Sequence, residues 1–129
     1  VPEKDGILAC ILAVEMMAYS GKTFSELIEQ LYRDYGQLVN RRQDIRFSPG
    51  RETQLRERLS AFRPRTIAGL KVLSISDQAG MRWELADNSW LLARFSDTEP
   101  LLRIYTESPD LTTMEAIEKE ICEALEIDY

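Results

Sequence analysis

The sequence predicts an α+β protein, in which an antiparallel sheet of about four strands carries helices on one face and follows two N-terminal helices. The first quarter of the 129 residues consists of two stretches with the apolar content and spacing of helices. After residue 37 the hydrophobic pattern changes to that of strands, separated by turns of hairpin length. Hairpins join antiparallel strands, whereas parallel strands need long crossover connections. A mostly antiparallel sheet with helices at its ends is typical of the α+β class.

Two helices are predicted in residues 1–36. Residues 7–19 are apolar nearly all round, and a helix of this kind is normally buried on every side. Thr23 and Glu26 then form a capping-box pattern at the start of a second helix, which ends at Gly36. The pair offers more apolar surface than it can bury against itself.

The rest of the chain reads as strands and two further helices. Alternation is clearest where Met81, Trp83 and Leu85 are separated by charged residues, and this pattern predicts a strand with one buried face. In chain order, the predicted elements are a strand at 37–48, a helix at 51–62, strands at 69–76, 81–86, 89–95 and 101–107, and a helix at about 111–126.

Composition limits the chemistry that this chain can perform. The absence of histidine excludes His-based acid–base catalysis and His-containing metal sites. Two cysteines, Cys10 and Cys122, are too few for a Cys-rich zinc site, and we interpret both as reduced thiols on helix faces. The longest apolar run, 7–14, is shorter than the roughly 20 residues of a membrane span. With a net charge of −6, the whole chain is not expected to bind nucleic acid or a membrane.

Charge is distributed unevenly along the sequence. Residues 41–65 hold eight arginines and three acids, whereas residues 110–129 hold seven acids and one lysine. Such runs usually mark solvated faces. The alternative interpretation is a non-catalytic α+β interaction module, whose basic segment 41–65 binds an anionic partner.

The loop between the last two predicted strands is the most informative segment. Ser96 and Thr98 offer hydroxyls, the loop backbone offers N–H groups, and Arg94 and Arg103 flank the loop. Two guanidinium groups, two hydroxyls and a concave run of amides suit a phosphate. An ordinary turn, with its arginines paired to carboxylates, has the same composition, so the pattern alone leaves both interpretations open.

This segment, R-F-S-D-T-E-P-L-L-R at 94–103, resembles the phosphate-binding loop of the α-D-phosphohexomutases, the phosphoglucomutase/phosphomannomutase superfamily. The C-terminal domain of that family carries a stretch of the type R-[PFA]-S-[GN]-T-E-P-x-x-R. Residues 2–7 and 20–27 resemble a late helix of the family's third domain and the connection that follows it. The closing helix after Glu107 matches as well, so the similarity covers essentially the whole chain in the correct order.

The resemblance implies that residues 1–36 are the helical tail of a preceding domain plus a connector. Residues 37–129 are then the C-terminal phosphate-binding domain, with a fold similar to that of the TATA-binding protein. The implied partners are a hexose phosphate, held through its phosphate group, and the remaining three domains of the same chain. The implied location is the cytoplasm.

The same resemblance implies an activity for the intact enzyme and none for this fragment. The enzyme would move a phosphoryl group between the 1- and 6-positions of a hexose phosphate, through a phosphoserine and a bound Mg²⁺. No Asp-Gly-Asp and no Gly-Glu-x-Ser sequence occurs in this chain, and the phosphoserine loop has no match either. We therefore expect the fragment to be inactive alone and to hold no cofactor.

The resemblance also implies a set of phosphate ligands, with no catalytic residue and no metal ligand in it. Asp97 departs from the Gly or Asn that the family often has, and its charge lies beside the expected phosphate. We expect its backbone N–H to be the ligand, with its carboxylate pointing away or neutralised by an arginine. Glu99 is expected to be structural and to bind loop amides or an arginine. The expected phosphate ligands are Arg94, Ser96, Asp97, Thr98 and Arg103.

Overall fold

The structure, a computed structural model, describes residues 5–127, without the side chain of Pro49. The chain divides between Gln37 and Leu38 into two compact units, which we call the N-terminal unit and the C-terminal unit. Within the described residues, no single helix is long and apolar enough to cross a membrane. The two helices of the N-terminal unit reach that length only together, and they are bent by 83° at the break between them.

The N-terminal unit consists of the two predicted helices, α1 (Gly6–Ser20) and α2 (Phe24–Tyr35). The predicted capping box is present at the start of α2, where Glu26 Oε2 accepts from the Thr23 backbone N–H at 2.7 Å and Thr23 Oγ1 accepts from the Glu26 backbone N–H at 3.3 Å. Neither helix has a buried residue. The expectation that α1 is buried on every side is therefore wrong for this chain, because one helix cannot cover another on all sides.

The C-terminal unit folds as a six-stranded antiparallel sheet with two helices, and the predicted fold class is confirmed. Its elements are β1 (Val39–Arg46), a 3₁₀ turn (Pro49–Arg51), α3 (Glu52–Ala61), β2 (Thr66–Ile67), β3 (Leu70–Ser76), β4 (Met81–Leu85), β5 (Trp90–Phe95), β6 (Leu101–Ser108) and α4 (Leu111–Leu125). The strands lie in the order β1-β6-β5-β4-β3-β2. The sheet has six strands rather than about four, because all five predicted strand segments join it and the turn at Ala68 and Gly69, both with positive φ, adds the two-residue β2.

The core lies between one face of this sheet and the helices α3 and α4. Side chains along β4 alternate between buried and half-buried, so only one face of the strand is covered. Among residues 38–127, no helix covers the other face of the sheet. Side chains from the sheet and both helices form one buried cluster, which includes Leu55, Leu59, Trp83, Leu91, Ile104, Ile117 and Ile121.

An ion pair between a buried carboxylate and a half-buried arginine joins α4 to the edge strand β1. Glu118 is fully buried, and its Oε2 accepts from Arg41 Nη1 at 2.9 Å and from Gln43 Nε2 at 3.3 Å. Glu118 belongs to the acidic run 110–129, which the sequence pattern favours as a solvated face, and for Glu118 this interpretation is wrong. The polar stripe of α4 faces the inner side of β1, and a carboxylate buried there needs a charged partner.

Candidate functional site

The loop between β5 and β6 has a hydrogen-bonded base and an exposed tip. The Ser96 N–H donates to the Leu101 carbonyl at 2.9 Å, and the Leu101 N–H donates to the Glu99 carbonyl at 2.7 Å. The Phe47 N–H, just after β1, donates to the Pro100 carbonyl at 3.2 Å. These bonds hold the base of the loop against two strands, while the residues from 97 to 100 are exposed.

Arg94 and Arg103 face each other across β5 and β6. The two residues are direct partners in the strand register. Their neighbours Ala93 and Ile104 point into the core, so both arginines lie on the sheet face without helices. Side chains directly opposite each other have Cβ atoms about 4.5–5.5 Å apart, and like charges in such a pair are destabilising. The pair therefore favours an anion between or beside the two guanidinium groups.

Two loop carboxylates lie close to these arginines. Asp97 Oδ2 is 3.8 Å from Arg94 Nη2, and Glu99 Oε2 is 4.0 Å from Arg103 Nη2. Glu99 Oε1 is also 3.5 Å from Arg46 Nη2. The expectation that Glu99 binds an arginine is confirmed, and the Asp97 carboxylate forms a long, exposed ion pair with Arg94. Exposed pairs at such distances are worth little, so a stronger anion can displace them.

Strand β1 adds charged residues that the sequence did not connect with the loop. Asp44 pairs with Arg103 in the register. Arg42 donates to both Asp44 carboxylate oxygens, from Nε at 2.6 Å and from Nη2 at 2.5 Å. These bonds, with smaller contributions from Arg103 and Arg46, lower the pKa of Asp44. The alternation of charges along 42–46 was visible in the sequence, but only the pairing of β1 with β6 places it beside the loop.

A cleft of about 560 Å³ opens beside Arg94, between α3, the turn from β3 to β4, and the end of β5. The guanidinium of Arg56 lies 4.1 Å above the Phe95 ring on the α3 side of this cleft. Its Nη2 is also 2.7 Å from Glu52 Oε1. The arginines of the basic segment 41–65 are thus distributed over β1, the 3₁₀ turn, α3 and the residues that follow α3, and several of them have carboxylate partners.

The described residues contain no cluster of three or more His, Cys, Asp or Glu side chains that could hold a metal ion. Both cysteines are free thiols, as predicted. Cys122 is buried on α4, and burial raises the pKa of its thiol to about 11. A thiol with this pKa is a poor nucleophile at neutral pH.

The structure brings some of the predicted ligands together more closely than others. Arg94 and Arg103 are register partners, and Ser96 follows Arg94 at the half-buried base of the loop. Asp97 and Thr98 lie at the exposed tip. Whether these five residues bind phosphate stays a prediction.

Sequence comparisons match the two units separately. The family described as "Phosphoglucomutase/phosphomannomutase, C-terminal domain" matches residues 38–124. The family described as "Phosphoglucomutase/phosphomannomutase, alpha/beta/alpha domain III" matches residues 1–35.

Curated proteins with similar sequences are considerably longer than this chain. A phosphoglucomutase/phosphomannomutase of Thermococcus kodakarensis is 32% identical over 105 residues, which are 81% of this chain and 21% of the relative. A probable phosphoglucosamine mutase of Methanobrevibacter smithii is 31% identical over 118 residues, or 92% of this chain and 25% of the relative. A phosphoglucosamine mutase of Geotalea daltonii is 31% identical over 122 residues, or 95% and 23%. The chain therefore spans between a fifth and a quarter of these relatives.

Proposed function

We propose, from the premise that this chain belongs to the phosphoglucomutase/phosphomannomutase family, that it holds the phosphate of a hexose phosphate in the loop between β5 and β6. It would do so as the C-terminal part of a longer mutase. The observation that carries this proposal is the placement of Arg94 directly opposite Arg103 on an open sheet face. Two like charges side by side are unfavourable without an anion to bridge them.

The expected ligands match the chemistry of a phosphate dianion. Guanidinium groups bind phosphate oxygens in a bidentate manner, and these hydrogen bonds are stronger than neutral ones. The hydroxyls of Ser96 and Thr98 and the backbone N–H of Asp97 would complete the shell. The carboxylates of Asp97 and Glu99 would leave the arginines as the phosphate enters.

The reaction that the family implies limits how tightly the loop should bind the phosphate. A phosphate that is held but not transferred is bound equally in the ground and transition states, so its contacts mainly lower KM. The bisphosphorylated intermediate implied by the family has to reorient, and a rigidly trapped ligand is released slowly. The Mg²⁺ that the family implies would help to transfer the phosphoryl group, and we assign its ligands to another part of the protein, since residues 5–127 contain no cluster that fits a metal ion.

We assign residues 1–36 to the helical tail of a preceding domain plus a connector, and residues 37–129 to the phosphate-binding domain. The division between Gln37 and Leu38 and the two separately matched ranges support this assignment. The three remaining domains would supply the phosphoserine, the metal loop and the sugar loop. We expect no mutase turnover from this chain with any hexose phosphate, with or without Mg²⁺. Turnover by a preparation free of host mutase would contradict the assignment.

The phosphate site is tested by titrating inorganic phosphate or glucose 6-phosphate into the ¹⁵N-labelled chain. We expect amide shifts centred on residues 94–103. A charge-assisted hydrogen bond contributes about 1.5–3 kcal/mol, so Arg94→Ala should weaken phosphate binding about 10- to 150-fold. Arg94→Lys should recover part of the loss, because an ammonium cannot form the bidentate fork.

Arg65→Ala is the matched control, since Arg65 is an exposed arginine just before the strand at the opposite edge of the sheet. If Arg94→Ala binds phosphate within twofold of wild type, the loop is an ordinary turn and the site assignment is wrong. Shifts on residues 41–65 with a macromolecular anion, and none with phosphate, would instead favour the interaction module.

A further inference from the structure

We propose that Gly80 is a positioning residue for Arg94, because its lack of a side chain lets the start of β4 lie directly against the backbone that carries this arginine. The inference rests on the proposed function, since Arg94 is one of the two arginines assigned to the phosphate. It concerns a residue outside the loop and outside the expected ligand set.

The register of the sheet places Gly80 beside Arg94. Met81, the first residue of β4, pairs with Ala93 of β5, so Gly80 just before β4 lies opposite Arg94. On its other side, Arg94 pairs with Arg103. Arg94 therefore has an arginine as one cross-strand neighbour and a bare glycine backbone as the other.

The approach of the two backbones is too close for a side chain. A Cβ atom on Gly80 would lie 2.8 Å from the Ala93 carbonyl oxygen and 2.9 Å from Arg94 Cβ. It would also lie 3.3 Å from Arg94 Cα. Contacts under 3.0 Å are essentially never observed for real Cβ atoms. The atoms in the way belong to the backbone or to the root of the side chain, so no rotamer change can relieve the clash, and the backbones of β5 and of the turn at Gly80 would have to move apart.

Conformation alone does not account for this glycine. Gly80 has φ +119°, which disfavours any other residue. Gly21, Gly36 and Gly69 also have positive φ, but nothing lies within 4 Å of a Cβ built on them. These three glycines adopt the positive φ that a turn or a helix end requires. Gly80 differs because it combines a positive φ with a close approach to the candidate site.

A displacement of β5 at this point would reach the phosphate loop. Arg94 lies two residues before Ser96, whose N–H closes the base of the loop on Leu101. Gly80 and Arg94 also line the same cleft. A side chain at position 80 would therefore move both the Arg94 guanidinium and the start of the loop.

The test compares Gly80→Ala with Gly69→Ala. Both substitutions place alanine at positive φ, but only the first creates a clash. Without phosphate, we expect Gly80→Ala to shift the Arg94 Nε–Hε signal and the amides of 93–97, while Gly69→Ala leaves them unchanged. If both variants leave the Arg94 signal unchanged, or both shift it equally, the positioning role is refuted.

With phosphate, Gly80→Ala should weaken binding by about fivefold or more, against less than about twofold for Gly69→Ala. Unaltered phosphate affinity in Gly80→Ala also refutes the inference. If the wild-type chain shows no phosphate-dependent shifts at 94–103, the proposed function fails, and the phosphate-free comparison still decides the positioning role by itself.

A measurement on the wild-type chain keeps the proposal testable if Gly80→Ala does not fold. The hydrogen of Gly80 that takes the place of a Cβ should give a strong NOE to the Arg94 Hβ protons. A strong NOE, together with an unfolded Gly80→Ala beside a folded Gly69→Ala, supports the proposal. The absence of the NOE overturns it.

Discussion

Helices α1 and α4 have the same length, 15 residues, but differ in burial. α1, in the N-terminal unit, is the more apolar of the two, yet none of its residues is buried. α4, in the C-terminal unit, carries four acids and still buries six residues, which are Met114, Ile117, Glu118, Ile121, Cys122 and Leu125.

The difference shows that burial depends on a complementary surface and not on apolar content. α4 has its apolar residues along one stripe, which a single sheet face can cover. α1 is apolar nearly all round and needs neighbours on every side, but in the described part of its unit, residues 5–37, the one other helix is α2. The exposed surface of α1 fits the proposal that further domains of a longer chain cover it.

The largest expected contrast concerns the two cysteines. Cys10 on α1 is exposed, whereas Cys122 on α4 is buried with its pKa raised to about 11. At pH 8 only about one in a thousand Cys122 thiols is ionised. We expect a thiol reagent to modify Cys10 at least about a hundredfold faster, because Cys122 is both buried and hardly ionised, and the rates are measured on Cys10→Ser and Cys122→Ser variants. Similar rates would contradict the difference in burial.

Truncating one isoleucine in each helix compares how much α4 and α1 contribute to the free energy of unfolding. Ile121→Ala on α4 should lower the free energy of unfolding of the C-terminal unit by about 2–5 kcal/mol, because it opens a cavity in the core. Ile11→Ala on α1, where the side chain is 59% exposed, should change it by less than about 0.5 kcal/mol. Urea unfolding followed by tryptophan fluorescence reports on the C-terminal unit, which holds both tryptophans. Equal losses would show that α1 is part of the same core.

Removing residues 1–37 should separate association from stability. The shorter chain is expected to scatter light as a monomer, while the full chain self-associates or frays through α1 and is cleaved there by proteases. The melting temperature of the C-terminal unit should change by less than about 3 °C, and its phosphate affinity by less than twofold. If association and stability are both unchanged, the exposed α1 surface has no effect on the chain in solution.

The tip of the loop between β5 and β6 is exposed like α1, but it is polar. The negative charge of Asp97 at this tip should have only a small effect on phosphate binding. Asp97→Gly removes a carboxylate 3.8 Å from Arg94 Nη2. Exposed pairs contribute at most about 1 kcal/mol, so phosphate binding should be unchanged or improve by up to about fivefold. Asp97→Asn is the control that keeps the shape and removes the charge. Weaker phosphate binding in both variants would make the carboxylate a ligand or an organiser of the loop.

The smallest expected effect concerns helix caps, which both units share. Asp110 caps α4, and hydrogen bonds from the Thr113 backbone N–H and then from its hydroxyl lower the pKa of Asp110 from 3.8. Because the Asp110 pKa is lower in the folded chain than in the unfolded chain, the ionised carboxylate stabilises the fold at every pH above its ordinary pKa. This contribution is lost as the pH falls through the lowered pKa. The stability difference between wild type and Asp110→Ala should therefore be constant above about pH 5 and shrink below about pH 4. A difference that grows on acidification would contradict this assignment.

Much of the local structure was predictable from the sequence. The capping box of α2, the alternation of β4 and the apolar stripe of α4 follow from patterns within a few residues. The predicted bounds of these three elements agree with the structure within one or two residues. The two-residue β2 was not predicted, because Ala68 at positive φ carries no turn signal of the kind that glycine gives.

The α+β class, the order of the elements and the pattern of the 94–103 loop could be predicted from the sequence, since period, caps and turn residues act over short distances. Strand pairing, which local patterns leave open, places Arg94 opposite Arg103 and Asp44 beside them. Tertiary packing also buries Glu118 against Arg41 and brings Gly80 too close to the backbone of β5 for a side chain. These features depend on which strands pair and in which register, and that choice is made by the packing of the whole sheet against α3 and α4.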